Sequence, residues 1–243
     1  MISLALHIDA YLRGRKQHPR LRISQAGEEC VRKMYYQATG APRLEERGEG
    51  LVKMALGSAF DEFAMKNGDG WRVQVPVTIR AGLLEFTGTA DAVYGTEQVS
   101  DLKVVGTSTF NRTCSYGPEP KHRAQVNMYA YGLNIPKWSV CYVHADTGAM
   151  REHFGEMDAF QAEEDLGDFE LAHYYRSIGQ TPPRPYADLI KEDKEGKPLL
   201  VVARNERPCC WCDYQVHCWE KDTGETNAEV KCDAGERTLP QAL

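Results

Sequence analysis

The chain has 243 residues, of which 42% are hydrophobic and 26% charged, with a formal net charge of −6. That length buries a core without disulfide staples, the composition is that of a globular protein, and no stretch approaches the roughly 18 apolar residues of a membrane span. The negative balance excludes global attraction to nucleic acid, so any such contact has to come from a local basic face.

In the first segment, MISLALHIDAYLRGR, the apolar run precedes the basic cluster. This is the reverse of a secretory signal, so a cytoplasmic protein with no membrane role is expected. Residues 2–13 read as a short helix. After them, Arg13, Arg15, Lys16, Arg20 and Arg22 occur with no acid between Asp9 and Glu28. A helix is predicted from Ser24, as N-cap, to Gly40, with Glu28 and Glu29 early and Arg32 and Lys33 later, as the helix dipole prefers. Ala26, Cys30 and Met34 share one of its faces. A second helix over 50–65 puts Leu51, Ala55, Ala59 and Phe63 on one stripe.

Residues 73–79, VQVPVTI, alternate as a half-buried strand does. Ala81-Gly82 turns the chain into a strand over 83–94, and Gly95-Thr96 turns it again into a strand over 98–105. A loop over 106–120, a helix over 121–133, a strand over 138–145, an edge strand over 150–156 and an amphipathic helix over 159–177 complete the pattern. A connector, TPPRP, leads to a cysteine-dense tail. Three meandering strands followed by a crossover helix and another strand imply an α/β fold, a mixed sheet flanked by helices.

In SDLKV, Asp101 and Lys103 are two apart on a strand, so both leave the same face while Leu102 points to the other. An Asp-x-Lys triplet alone fits a solvated strand face as well as a site. Asp91 sharpens the reading, because the hairpin near Thr96 brings it beside Asp101. Two adjacent carboxylates repel unless a cation or proton lies between them, and oxygen ligands suit Mg2+ or Mn2+. Asp61, one turn after Gly57, offers a third acid, with its neighbour Glu62 as the competing choice. Gln125 and Tyr129 lie at i, i+4 and share a helix face, an ordinary helix surface being the plainer alternative.

Taken together, Gly57 with Asp61, Gly88-Thr89-Ala90-Asp91, Asp101-Leu102-Lys103 and Gln125 with Tyr129 resemble the four motifs of the PD-(D/E)XK nucleases of the RecB type, over about residues 24–220. The resemblance implies a restriction-endonuclease-like core: helix, three-strand meander, helix, strand. It also implies metal on Asp61, Asp91 and Asp101, a lysine (Lys103) that supports the attacking water, and a glutamine and tyrosine (Gln125, Tyr129) that order the site or contact DNA. One departure is Asp61, where RecB-type members usually carry histidine; related phage-type members can carry an acid.

Of the eight cysteines, five fall in the last 35 residues. Clustered thiols in a reducing compartment point to a metal or cluster rather than to cross-links. Cys209, Cys212 and Cys218 need a fourth ligand, and Cys30 is available; by spacing alone, zinc and iron–sulfur fit equally. The setting of Cys30, EECVRKMYYQATG, is similar to the first-cysteine motif of the iron–sulfur members of the family, including the CRISPR-associated and AddB-type nucleases. That resemblance implies an iron–sulfur cluster, of the 4Fe-4S type, stapling the N-terminal helix to the C-terminal tail. Cys114, Cys141 and Cys232 are taken as bystanders, Cys210 and His217 as possible substitutes.

The expectation is therefore a single nuclease domain over 1–243. It has an N-terminal helical segment (1–46), a core (47–180) and a cluster-binding segment (205–220). As a metal-dependent DNA exonuclease it acts on single strands or duplex ends in recombination, repair or CRISPR spacer processing, with partner proteins from those systems. Arg13, Arg15, Lys16, Arg32, Lys33, Lys121 and Arg123 are expected to track the phosphate backbone, and Tyr35 and Tyr36 either stack bases or join the core. The alternatives are a catalytically weak DNA-binding or assembly module and a zinc-stabilised scaffold.

Overall fold

The alternating segments in the middle of the chain form one five-stranded sheet, in the order β1 (Trp71–Ala81), β2 (Leu84–Tyr94), β3 (Gln98–Val105), β4 (Lys137–His144) and β5 (Met150–Glu156). The computed structural model describes residues 19–43, 70–185, 189–192, 198–201, 209, 212–223, 231–232 and 235–236. The helices expected over 2–13 and 50–65 lie outside the described residues, and with them Gly57, Asp61, Glu62, Arg13, Arg15 and Lys16.

Strands β1, β2 and β3 are a meander of antiparallel neighbours, β3 and β4 are parallel, and β5 returns antiparallel along β4. A parallel pair needs a long crossover, supplied here by two helices, α2 (Thr107–Tyr116) and α3 (Pro120–Leu133). The mixed sheet is the one expected from the element order.

The described residues fall into two units. The first holds residues 21–29 and 70–171. Its buried side chains include Ile23, Val77, Ile79, Phe86, Val99, Val126, Met128, Val140 and Phe169. The ring of Phe86 on β2 packs 5.1 Å from that of Phe169 on α4 (Ala159–Ser177). The start of α4 is fixed to α3 by Asn127, which donates to the Asp158 carbonyl and accepts from the Asp158 N–H, both at 2.8 Å.

The second unit holds residues 19–20, 30–43 and the described residues from 172 onward. Helix α1 (Val31–Thr39) carries Tyr35 and Tyr36 into a buried cluster with Tyr214, against which Ala41, Tyr175, Cys212 and Cys218 pack. The two tyrosines are thus core residues. Helix α5 (Gln215–Thr223) and two short antiparallel pairs, β6–β7 (Leu189–Glu192, Pro198–Val201) and β8–β9 (Lys231–Cys232, Gly235–Glu236), complete it. Among the described residues no helix is long and apolar enough to cross a membrane.

Two local expectations are corrected. Ser24 does not cap the helix; it lies in a single 3-10 turn (Ile23–Gln25), and α1 begins only at Val31 after Cys30. The interruption is Gly27, at φ +71°, where a Cβ would stand 2.7 Å from the Ala124 Cβ, so the chain turns at the one residue that fits against α3. The expected loop over 106–120 contains α2 instead. Its sequence, TSTFNRTCSY, has poor helix propensity, but packing overrides this: Thr113 is fully buried and Phe110 meets the His144 ring edge-on at 5.2 Å.

Candidate active site

The β2–β3 ladder pairs Tyr94 with Gln98, Val93 with Val99 and Ala92 with Ser100. The next residues along are Asp91 and Asp101. There the Asp91 carboxylate takes the place of a ladder acceptor: its Oδ2 accepts the Leu102 N–H at 2.9 Å. The turn thus brings the two acids to neighbouring strands, as the hairpin arithmetic requires.

Asp101 has a side chain with no solvent exposure, and a buried carboxylate needs a charged or donating partner. Lys103 Nζ lies 2.8 Å from its Oδ2 and 3.1 Å from its Oδ1. Gln125 on α3 donates from Nε2 to Asp101 Oδ1 at 3.1 Å and accepts from Lys103 Nζ at 3.3 Å. Its Nε2 also lies 3.3 Å from the Tyr129 hydroxyl. Strand alternation puts Asp101 and Lys103 on one face, helix periodicity puts Gln125 and Tyr129 on another, and the crossover sets the two faces together.

Burial pushes the Tyr129 phenol up to about 12, the Asp101 and Asp91 charges add to the rise, and the Gln125 hydrogen bond opposes it. The hydroxyl therefore stays protonated, with both carboxylates within electrostatic reach. Gly88 makes room for it: a Cβ there would fall 2.8 Å from Tyr129 Cε1 and 3.0 Å from Ile23 Cβ. This is a steric reason for the glycine in Gly88-Thr89-Ala90-Asp91.

Sequence reasoning missed a second layer. Tyr142 is the register partner of Lys103 on β4; its hydroxyl accepts the Glu119 N–H at 3.0 Å and meets His122 Nδ1 at 2.9 Å. Burial lowers the His122 imidazole to about 4, and the Lys103 charge adds to the effect. A signal was present, since His122, Gln125 and Tyr129 stand at i, i+3 and i+7 on one helix face.

Two carboxylates with oxygen donors match a hard divalent cation, with Lys103 as the counter-charge now beside Asp101. Among the described residues no group of three or more His, Cys, Asp or Glu side chains is arranged to hold a metal ion, and Asp61 lies outside them.

Of the expected phosphate-tracking residues, Arg13, Arg15 and Lys16 lie outside the described residues, Arg32 and Lys33 belong to the second unit, and Lys121 and Arg123 to the first. Arg32 is buried, with Nε donating to the Tyr36 hydroxyl at 2.9 Å and its guanidinium against the Tyr36 ring; Lys33 is half-buried on the same helix. Lys121 pairs with Glu28 at 3.5 Å. Arg123 is exposed on the rim of a cavity of about 340 Å³ whose wall also carries Glu156, Asp158 and Asp165. That acidic wall is a poor place for a phosphate, and the cavity does not include Asp91 or Asp101.

The four candidate cluster thiols lie in the second unit. Cys30 is the N-cap residue of α1, the Cys212 N–H closes a turn onto the Cys209 carbonyl at 3.0 Å, and Cys218 is on α5. Burial raises the Cys209 thiol to about 11, with Cys30 and Cys218 adding to it, and the Cys212 thiol to about 12, with a smaller contribution from Cys30. Ionising one thiol is thus disfavoured by its neighbours, and among the described residues the four are not arranged as ligands of one ion.

No protein-family model matches the sequence, and no curated protein matches it. Among solved structures, the chain is similar to an alkaline exonuclease from Laribacter hongkongensis, at 14% identity over 72% of this chain and 97% of that one, with a TM-score of 0.43. It is also similar to a phage-related exonuclease from Haemophilus somnus 129PT, at 12% identity over 61% and 81%, with a TM-score of 0.46. At TM-scores this low, function has to rest on the site's own chemistry.

Proposed function

We propose that the protein is a metal-dependent DNA exonuclease that hydrolyses backbone phosphodiesters. The observation that carries this reading is the enclosed Asp101 carboxylate held by Lys103 and Gln125, with Asp91 on the adjoining strand and Tyr129 behind it. These are the residues of the motif resemblance, and DNA as substrate and attack from an end come from that resemblance. Asp91 and Asp101, with Asp61, would hold Mg2+ or Mn2+; such a cation supplies an acidified water and positive charge at the phosphoryl oxygens. Lys103 places a second positive charge beside Asp101 and supports the water that attacks phosphorus. Gln125 keeps Lys103 and Asp101 in register, and Tyr129 contributes a phenol that stays neutral.

Cys30, Cys209, Cys212 and Cys218 are proposed to carry an iron–sulfur cluster of the 4Fe-4S type with a structural role; four thiols in one unit support this. Action in recombination, repair or CRISPR spacer processing, in the cytoplasm and with proteins of those systems, is part of the same reading.

The test is incubation of end-labelled single- and double-stranded DNA with the full chain in Mg2+ or Mn2+, in excess EDTA, and with Lys103→Met. Cleavage that needs the metal and is lost in folded Lys103→Met is expected. Full activity in EDTA or in Lys103→Met contradicts the proposal, and DNA binding without cleavage by the wild type favours the assembly-module alternative.

A further inference from the structure

Tyr142 has no solvent exposure, so its hydroxyl hydrogen and its lone pairs need partners inside the protein. The Glu119 N–H donates to it at 3.0 Å. Among the described residues the other hydrogen-bonding neighbour is Nδ1 of His122, at 2.9 Å. The hydroxyl proton is therefore directed to Nδ1, which makes Nδ1 the acceptor and leaves the imidazole proton on Nε2. That nitrogen makes no hydrogen bond to the described residues and is not among their buried orphan atoms.

The placement matters as much as the tautomer. His122 is on the α3 face that carries Gln125 and Tyr129, and Tyr142, which orients it, is the strand neighbour of Lys103. The charged groups that act on the ring are Lys103, Glu119, Lys121 and Arg112. Burial and the net positive surroundings keep it uncharged at neutral pH.

We propose that His122 is a phosphate-contacting residue of this site, a neutral imidazole held by Tyr142 in the Nε2–H form that donates to a non-bridging oxygen of the DNA backbone beside Lys103. Tyr142 is the positioning residue. This rests on the nuclease reading above. A donor that stays uncharged grips the phosphate without changing the salt dependence of binding, because it releases no counterion.

The experiment has two parts. Histidine-selective 15N labelling of the full chain at neutral pH should show Nδ1 of His122 unprotonated and Nε2 protonated; an Nδ1–H tautomer or an imidazolium overturns the proposal. In parallel, cleavage of labelled DNA is compared for wild type, Asp101→Ala, His122→Ala, His122→Gln and Tyr142→Phe, each checked for a cooperative melt. His122→Ala should lower kcat/KM by about 10–100-fold, the span of a hydrogen bond to a charged group, with an unchanged salt slope for DNA binding. His122→Gln, whose amide N–H can reach the place of Nε2–H, should recover part of the loss, and Tyr142→Phe should show a partial one. If Asp101→Ala is inactive while folded His122→Ala cleaves like wild type, the His122 proposal fails and the nuclease reading stands. If wild type does not cleave, or Asp101→Ala still does, the nuclease reading fails and takes this one with it.

Discussion

Two buried aspartates in the first unit show how partners decide what a carboxylate does. Asp101 faces the Lys103 ammonium and the Gln125 amide. Asp165 on α4 is also buried, but no ion pair to it is found among the described residues; burial first, then the Asp168 and Glu164 charges, raise it from 3.8 to about 6, against an opposing Gly27 N–H hydrogen bond. A carboxyl raised on folding binds its proton more tightly in the native state. Its contribution to stability is complete below about 3.8 and is lost as the pH rises through about 6. Asp165→Asn removes that loss and should be more stable than wild type by about 1–3 kcal/mol at pH 8, with a smaller gap at pH 5. Thermal melts of the pair at both pH values check this, and an equal gap at the two contradicts it. At this scale much of the site was legible. Asp91, Asp101 and Lys103 are set by strand alternation and one hairpin, and Gln125 and Tyr129 by one helix turn, each pattern local, while the crossover that joins the two faces is not. His122 carried a local signal in its i, i+3, i+7 spacing with Gln125 and Tyr129, but its meeting with Tyr142 depends on the parallel β3–β4 register, which no local spacing encodes.

The elements were read best where periodicity was strong and worst where packing contradicted propensity. Strands β2, β3 and β5 and helices α3 and α4 emerge from alternation or helical spacing almost to the residue. Helix α2 does not, because its Ser/Thr-rich sequence is helical only through the burial of Thr113 and the contact of Phe110 with His144. The break before α1 was hidden too, since Ser24 with Glu28 and Glu29 has the look of a good N-terminus while Gly27 is shaped by α3. Gly27→Ala tests that account. The substitution adds a side chain at positive φ and a Cβ 2.7 Å from the Ala124 Cβ, so unfolding free energy should fall by about 1–3 kcal/mol, read by urea denaturation. A variant as stable as wild type would mean that the turn does not pack as described.

Across the whole molecule, the two units pose separate questions, catalysis in the first and the thiols in the second. Metal binding by thiols is coupled to folding and expels their protons, so Cys212→Ala should bleach an anaerobically prepared brown protein and lower its melting temperature. A colourless wild type with stoichiometric zinc would replace iron–sulfur by zinc. For the first unit, the decisive measurement is the release of mononucleotides from end-labelled DNA by wild type and Asp101→Asn side by side in Mn2+. Asp101→Asn keeps the shape of the side chain but removes the charge that Lys103 pairs with and that the proposed cation would need. Stepwise release by wild type and at least about a hundredfold less by a folded Asp101→Asn are expected. Equal release by the two proteins would contradict the nuclease reading.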